Sequence, residues 1–290
     1  MTRKPRVAIV GAGNLATFLA GALRESGYLV TEIISRNSPR SRRHARTLAS
    51  KVGARAVTER TAALDAELLW FCVPDRAIRE AASALAASTK GRVRFAFHSS
   101  GALLSRELES LRKGGAAVAS VHPLMTFVPG SRPSLAGVPF ALEGDAAATR
   151  VARRIVRHLG GESFTLPAAR KAAYHAWATF TSPLWLAFLV TLEEAARGAG
   201  LTRAEARRKS MPIIRQTLEN YSRLGPEHSF SGPIIRGDAT TVAKHLAVLK
   251  KQPAVRDVYV ALARASLERL PAKNRSELGR LLSDQQRLSS

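Results

Sequence analysis

Residues 6–16 read Arg6-Val-Ala-Ile-Val-Gly-Ala-Gly-Asn-Leu-Ala16, an apolar run that breaks into glycines. Val7 to Val10 have the continuous apolar character of a buried strand, and Asn14 to Leu23 have the pattern of a helix. Gly11 and Gly13 fall in the turn, where the lack of a Cβ lets backbone come close to a ligand, and Ala16 fills the small third position. Such a turn offers free N–H groups and the positive end of a helix dipole to a pyrophosphate. A Gly-x-Gly-x-x-Ala pattern alone recurs by chance. Here a strand precedes it, a helix follows, and a second apolar run, Leu29 to Ile34, comes one βαβ unit later. The candidate dinucleotide contacts are Gly11, Gly13, Asn14, Leu15 and Ala16; the alternative is a tight βα turn without a ligand.

The pattern continues. Short apolar runs near 6–10, 29–34, 54–57, 68–73, 93–97, 117–121 and 138–142 read as strands. Helical stretches near 14–25, 39–50, 75–87, 103–112 and 146–158 alternate with them, as a doubly wound parallel sheet requires. Asp75, after Val73-Pro74, is a candidate cap of the helix that follows. From about Pro167 the strand signal stops, and helices near 168–199, 202–223, 239–250 and 253–269 remain, with the last dozen or so residues loose. The expectation is an α/β Rossmann-type domain over 1–165 followed by an all-helical domain over 166–290 for substrate and dimer contacts.

Composition narrows the partners. The net charge of +23 raises the question of nucleic acid, but the arginines are scattered, with no aromatic-interleaved stripe, helix-turn-helix or zinc pattern. A solvated basic surface is the favoured reading, without nucleic acid. No apolar run reaches the roughly 18 residues of a membrane span, and no signal-peptide h-region precedes the first strand. One cysteine, Cys72, supplies neither a disulfide framework nor a metal set. A cytoplasmic protein is expected.

The end of the second strand bears on the choice of dinucleotide. An NAD site usually places Asp or Glu there for the ribose hydroxyls. This chain has Ser35-Arg36-Asn37, while Glu32 comes several residues too early. A hydroxyl and a guanidinium suit a 2′-phosphate, so NADP is expected over NAD. Ligands of open α/β sheets bind at the carboxyl ends of the strands. Val73, Pro74 and Ser99 there are candidate cofactor contacts, and Ser100 and His122 candidate substrate contacts.

The helix from Ala168 carries Lys171, Tyr174 and His175 on one face. Hydride addition to a carbonyl leaves negative charge on oxygen, and a partly buried lysine can donate a proton or act as a fixed cation. Lys171 is the candidate general acid, with His175 orienting it or holding a carboxylate; the plain alternative is a solvated lysine and a satisfied helix histidine. Arg236 is a candidate fork for a substrate carboxylate, and Asp238, a plausible N-cap, is a further candidate substrate contact.

Several segments together resemble one family. They are Gly11-Ala-Gly-Asn-Leu-Ala16, Val73-Pro-Asp75, His98-Ser-Ser-Gly101, His122-Pro-Leu-Met-Thr-Phe127, Lys171-Ala-Ala-Tyr-His175, Gly232-Pro-Ile-Ile-Arg-Gly-Asp238 and Thr241-Val-Ala-Lys-His-Leu246. In this order they resemble bacterial Rossmann-like oxidoreductases with a C-terminal helical domain of unknown function. These are distant relatives of pyrroline-5-carboxylate reductases and include a PanG-type ketopantoate reductase. The resemblance implies NAD(P)-dependent reduction, a homodimer through the helical domain and Lys171 near the nicotinamide. It departs at Ser182-Pro183, where such helices commonly carry Asn; a kink is expected there, with Ser182 as the substitute contact. The leading expectation is an NADPH-dependent reductase of a small 2-keto acid, ketopantoate first, bound between the domains. The alternatives are an imine reductase of the pyrroline-5-carboxylate type, a deazaflavin-dependent NADP reductase and a non-catalytic NADP(H) sensor.

Overall fold

The structure, a computed structural model, describes residues 3–89, 91–131 and 133–284. The chain forms two compact units, Met1–Thr179 and Phe180–Ser290. In the first, β1 (Val7–Val10), α1 (Asn14–Glu25), β2 (Val30–Ser35), α2 (Pro39–Val52), β3 (Arg55–Thr58) and β4 (Leu68–Phe71) come first. Then follow α3 (Ile78–Ala86), β5 (Phe95–His98), α4 (Glu109–Lys113), β6 (Ala117–Pro123), β7 (Pro139–Gly144), α5 (Ala146–His158) and β8 (Glu162–Thr165). Helix α6 (Lys171–Thr181) begins in this unit and passes its boundary at Thr179.

The sheet order is β3-β2-β1-β4-β5-β6-β7-β8. Pairing is parallel from β3 to β6, as expected: helices carry the chain back after β1, β2, β4 and β5, and an irregular crossover joins β3 to β4. Strand β7 departs from the all-parallel expectation: it runs antiparallel to β6, and β8 is parallel to β7. The segment between β6 and β7 has no helix among its described residues, so the chain turns back directly.

Alternation along the strands feeds two cores. Leu68 and Trp70 of β4 join Leu19, Leu23 and Ile155 on one face. Leu69 and Phe71 join Ile78 and Leu85 on the other. Both faces are therefore covered, as a doubly wound sheet requires.

Two differences from the sequence reading shape the site. Tyr174 of α6 is packed with Ala141 and Leu166, so this helix belongs with the sheet up to Thr179 rather than opening the helical unit at 166. Asp75 does not cap a helix; it starts a single 3-10 turn and its carboxylate accepts a hydrogen bond from Ser100 Oγ at 2.7 Å.

The second unit holds α7 (Pro183–Ala195), α8 (Arg203–Leu224), α9 (Pro226–Ser229), α10 (Pro233–Arg236), α11 (Ala239–Leu249), α12 (Pro253–Arg269) and α13 (Arg275–Asp284). The expected kink at Pro183 is a full break: Ser182 leaves helical geometry and Pro183 takes the first position of α7, where its missing N–H costs nothing. Leu278 and Leu282 of α13 are buried against Val242, Leu246 and Val260, so a helix replaces part of the expected loose end; residues 285–290 lie outside the described residues.

Candidate functional site

The glycine turn has two different glycines. Gly11 has φ +110°, and a Cβ there would come 2.5 Å from the Cys72 carbonyl oxygen, so the fold itself demands glycine. At Gly13 a Cβ would meet nothing within 4 Å. That space is open to a ligand. Helix α1 starts at this turn with no side-chain cap and no acidic residue in its first turn, leaving its N–H groups and positive dipole end uncompensated.

Gly11 and Gly13 line a cavity of about 420 Å³ with Ser35, Arg36, Val73 and Pro74. Arg40, Ser41 and His44 of α2 line it too, and the sequence reading missed them as ligand contacts. Their signal was the i, i+4 spacing of Arg40 and His44 on a helix starting just past Arg36. Ser38 caps α2 through Ser41 N, and no acidic residue stands in its first turn. A helix N-terminus and guanidiniums at one end of the cavity favour a dianionic phosphate. Glu32, by contrast, is fully buried and committed: it pairs with Arg55 at 2.8 Å and accepts from Ala63 N and Leu64 N. It is closed to a ribose, as the sequence suggested.

Four candidate contacts sit outside this cavity's lining. Asn14 donates from Nδ2 to the Phe127 carbonyl, tying the glycine turn to the loop after β6. Leu15 lines a small apolar hollow with Ser99 and Phe127, and Ala16 is buried in the core. Ser99 accepts a hydrogen bond from the Trp70 indole at 2.9 Å.

At the carboxyl end of β5 and the middle of β6 the structure brings together residues far apart in sequence. Strand register places His98, Ser120 and Glu143 in one row across β5, β6 and β7. All three are buried. Buried polar groups must be satisfied, and these are. His98 accepts at Nδ1 from Ser100 N, so its Nε2–H donates to the Leu104 carbonyl and the ring is neutral. Glu143 accepts from Ser105 N and Oγ. Lys171 lies against the middle of the row, 2% exposed, its Nζ donating to Ser120 Oγ at 2.5 Å while that hydroxyl donates to the Ser100 carbonyl. Burial lowers the Lys171 pKa to about 8, with Glu143 and Asp75 pulling the other way.

His122 and His175 flank the same loop. His122 Nδ1 lies 2.7 Å from the Tyr174 hydroxyl, and burial, reinforced by Lys171, lowers its pKa to about 4. Burial pushes the Tyr174 hydroxyl up to about 12. A Cβ on Gly101 would come 2.8 Å from His122 Nε2 and 2.7 Å from His175 Cδ2, so only glycine lets both rings approach. Lys171, His175, Ser100 and His122 thus gather in one place. The sequence reading gave no role to Tyr174, Ser120, Glu143 or Gly101.

The remaining candidates lie in the second unit. Ser182 precedes α7, Arg236 is exposed at the end of α10, and Asp238 caps α11 by accepting from Thr241 N and Oγ1 at 2.9 and 2.6 Å. Among the described residues no cluster of His, Cys, Asp or Glu has metal-site geometry, and no helix is long and apolar enough to cross a membrane.

This fold and nucleotide turn define a class. Residues 6–93 match the family model described as NADP oxidoreductase, coenzyme F420-dependent. Residues 138–266 match a domain of unknown function, DUF2520. The chain is an oxidoreductase of the NADP-using class. Among solved structures, it is similar to a candidate NADP oxidoreductase from Bacteroides fragilis, with 24% identity, TM-score 0.74, and 92% of this chain and 99% of that one covered. A pyrroline-5-carboxylate reductase from Coxiella burnetii shares the fold at 16% identity and TM-score 0.57, covering 95% and 99% of the two chains. So does a reductive aminase from Aspergillus terreus, solved with NADPH and ethyl-5-oxohexanoate, at 16% identity and TM-score 0.65, covering 96% and 100%. No curated protein matches the chain.

Proposed function

We propose that the protein is an NADPH-dependent reductase of a small 2-keto acid, with ketopantoate the first substrate to test. The observation that carries this reading is the buried Lys171 ammonium beside the His98–Ser120–Glu143 row, which starts at the carboxyl end of β5. When bound, NADPH supplies a hydride to the carbonyl carbon. The Gly11–Ala16 turn holds its pyrophosphate, and Ser35, Arg36 and Arg40 hold its 2′-phosphate.

The oxygen of the carbonyl gains negative charge during reduction and must end with a proton. A cation held in low dielectric stabilises that charge without reorganising. Lys171, with its pKa near 8, remains mostly protonated at neutral pH and is the proposed electrostatic stabiliser and proton source, with His175 supporting it. The same charge opposes an iminium ion, which is itself positive. Imine reduction is the second reading, favoured by the fold shared with the reductive aminase and the pyrroline-5-carboxylate reductase.

The test is NADPH consumption with ketopantoate, other 2-keto acids and cyclic imines, run beside NADH. Turnover of a keto acid with NADPH is the expected result. Turnover of imines alone selects the second reading. Tight NADPH binding without turnover of any substrate points to a nucleotide sensor, and no binding overturns the assignment of the glycine turn.

A further inference from the structure

Lys171 is 2% exposed and gives one of its ammonium hydrogens to Ser120, so a further donor beside it is needed to orient the substrate oxygens. His122 is placed to do so. Tyr174 is buried against Phe164, Trp177 and Leu166, and His122 Nδ1 is the hydrogen-bond partner of its hydroxyl among the described residues. A buried hydroxyl hydrogen needs an acceptor, so the Tyr174 O–H donates to Nδ1. In a neutral imidazole the proton then resides on Nε2. That Nε2–H has no acceptor among the described residues, and it lies beside Gly101, whose missing side chain lets the ring close on the loop.

We propose that Tyr174 is a positioning residue that fixes His122 as an Nε2–H donor to an oxygen of the substrate. The proposal rests on the reductase reading of this site and narrows its substrate class. A fixed N–H donor suits the lone pairs of a carbonyl or carboxylate oxygen. It opposes the N–H of an iminium ion, which would bring two donors face to face.

Nitrogen-15 NMR of histidine-labelled wild-type protein at pH 7, without ligand, tests the tautomer first. The expected spectrum shows His122 protonated at Nε2 and bare at Nδ1, and Tyr174→Phe gives a mixture of tautomers. Kinetics with the best keto acid of the panel come next. Tyr174→Phe raises KM more than it lowers kcat. His122→Gln, which keeps an amide N–H near the Nε2 position, stays within about fivefold of wild-type kcat/KM, whereas His122→Asn loses on the order of tenfold or more.

Protonation at Nδ1 in the wild type, or an unchanged tautomer in Tyr174→Phe, overturns the role of Tyr174. Equal losses in the Gln and Asn variants, or turnover of imines but no keto acid, overturn the donor role of His122. Failure of the whole panel overturns the reductase reading and the donor role with it, while the spectrum alone still decides whether Tyr174 fixes the tautomer.

Discussion

Lys171 carries a charge where the fold would be more stable without one. Its pKa is lowered from 10.5 to about 8, so between those values the unfolded chain binds more protons than the folded one. Stability therefore rises as pH increases through that window, and below pH 8 the buried cation costs about 3 kcal/mol. Lys171→Met should unfold at the same temperature as wild type or higher at pH 7, while kcat falls on the order of a hundredfold. Near-normal turnover in that variant would place the chemistry elsewhere. The same ionisation predicts that wild-type kcat declines as pH rises through about 8, and that Lys171→Arg, where soluble and active, loses this limb. His122, with its pKa near 4, adds no acid limb above about pH 5. At the other end of the nucleotide cavity, Arg36→Asp should weaken NADPH far more than NADH, measured by titration of both; equal losses would remove the 2′-phosphate assignment. The type of each of these residues was legible in the sequence. The burial of Lys171 was not, because it depends on α6 packing onto β7 through Tyr174, Ala141 and Leu166.

Among the elements, strands buried on both faces announced themselves, since β1, β4 and the inner part of β2 are continuous apolar runs. Strand β8 did not: Glu162, Phe164 and Thr165 are exposed on it and its composition resembles a loop. The row of His98, Ser120 and Glu143 was equally hidden, because register between strands is a property of pairing and leaves no local trace. Asp75 looked like a cap because the sequence places a short polar residue before a helix; its partner, Ser100, is 25 residues away. The glycine turn was the most legible element, and its two glycines make separable predictions. Gly11→Ala forces a Cβ to 2.5 Å from the Cys72 carbonyl at a φ that disfavours side chains, so it should cost on the order of 2–4 kcal/mol in chemical denaturation. Gly13→Ala should leave stability within about 0.5 kcal/mol of wild type and instead weaken NADPH. A destabilised Gly13→Ala would show that packing, rather than a ligand, selects glycine there.

For the whole molecule, the second unit leaves Leu186, Ile213, Leu218 and Tyr221 of α7 and α8 about half exposed or more. Exposed apolar side chains of this size suit an association surface, and a second copy of the chain is the proposed occupant. Sedimentation at micromolar concentration should give a dimer, and Leu186→Glu with Ile213→Glu should give a monomer of unchanged helical content; a monomeric wild type would end this proposal. The +23 charge leaves nucleic acid as a rival partner, which a gel-shift titration at two salt concentrations excludes if no shift appears at the lower one. One buried side chain also gives these experiments an optical handle. Trp70 is fully enclosed, with its indole N–H held by Ser99, whereas Trp177 and Trp185 are open to solvent. Its emission should be blue-shifted and resistant to iodide, and reduced nicotinamide absorbs where tryptophan emits. Energy transfer from this residue would therefore register cofactor loading in the native protein, with no label attached and no substrate known.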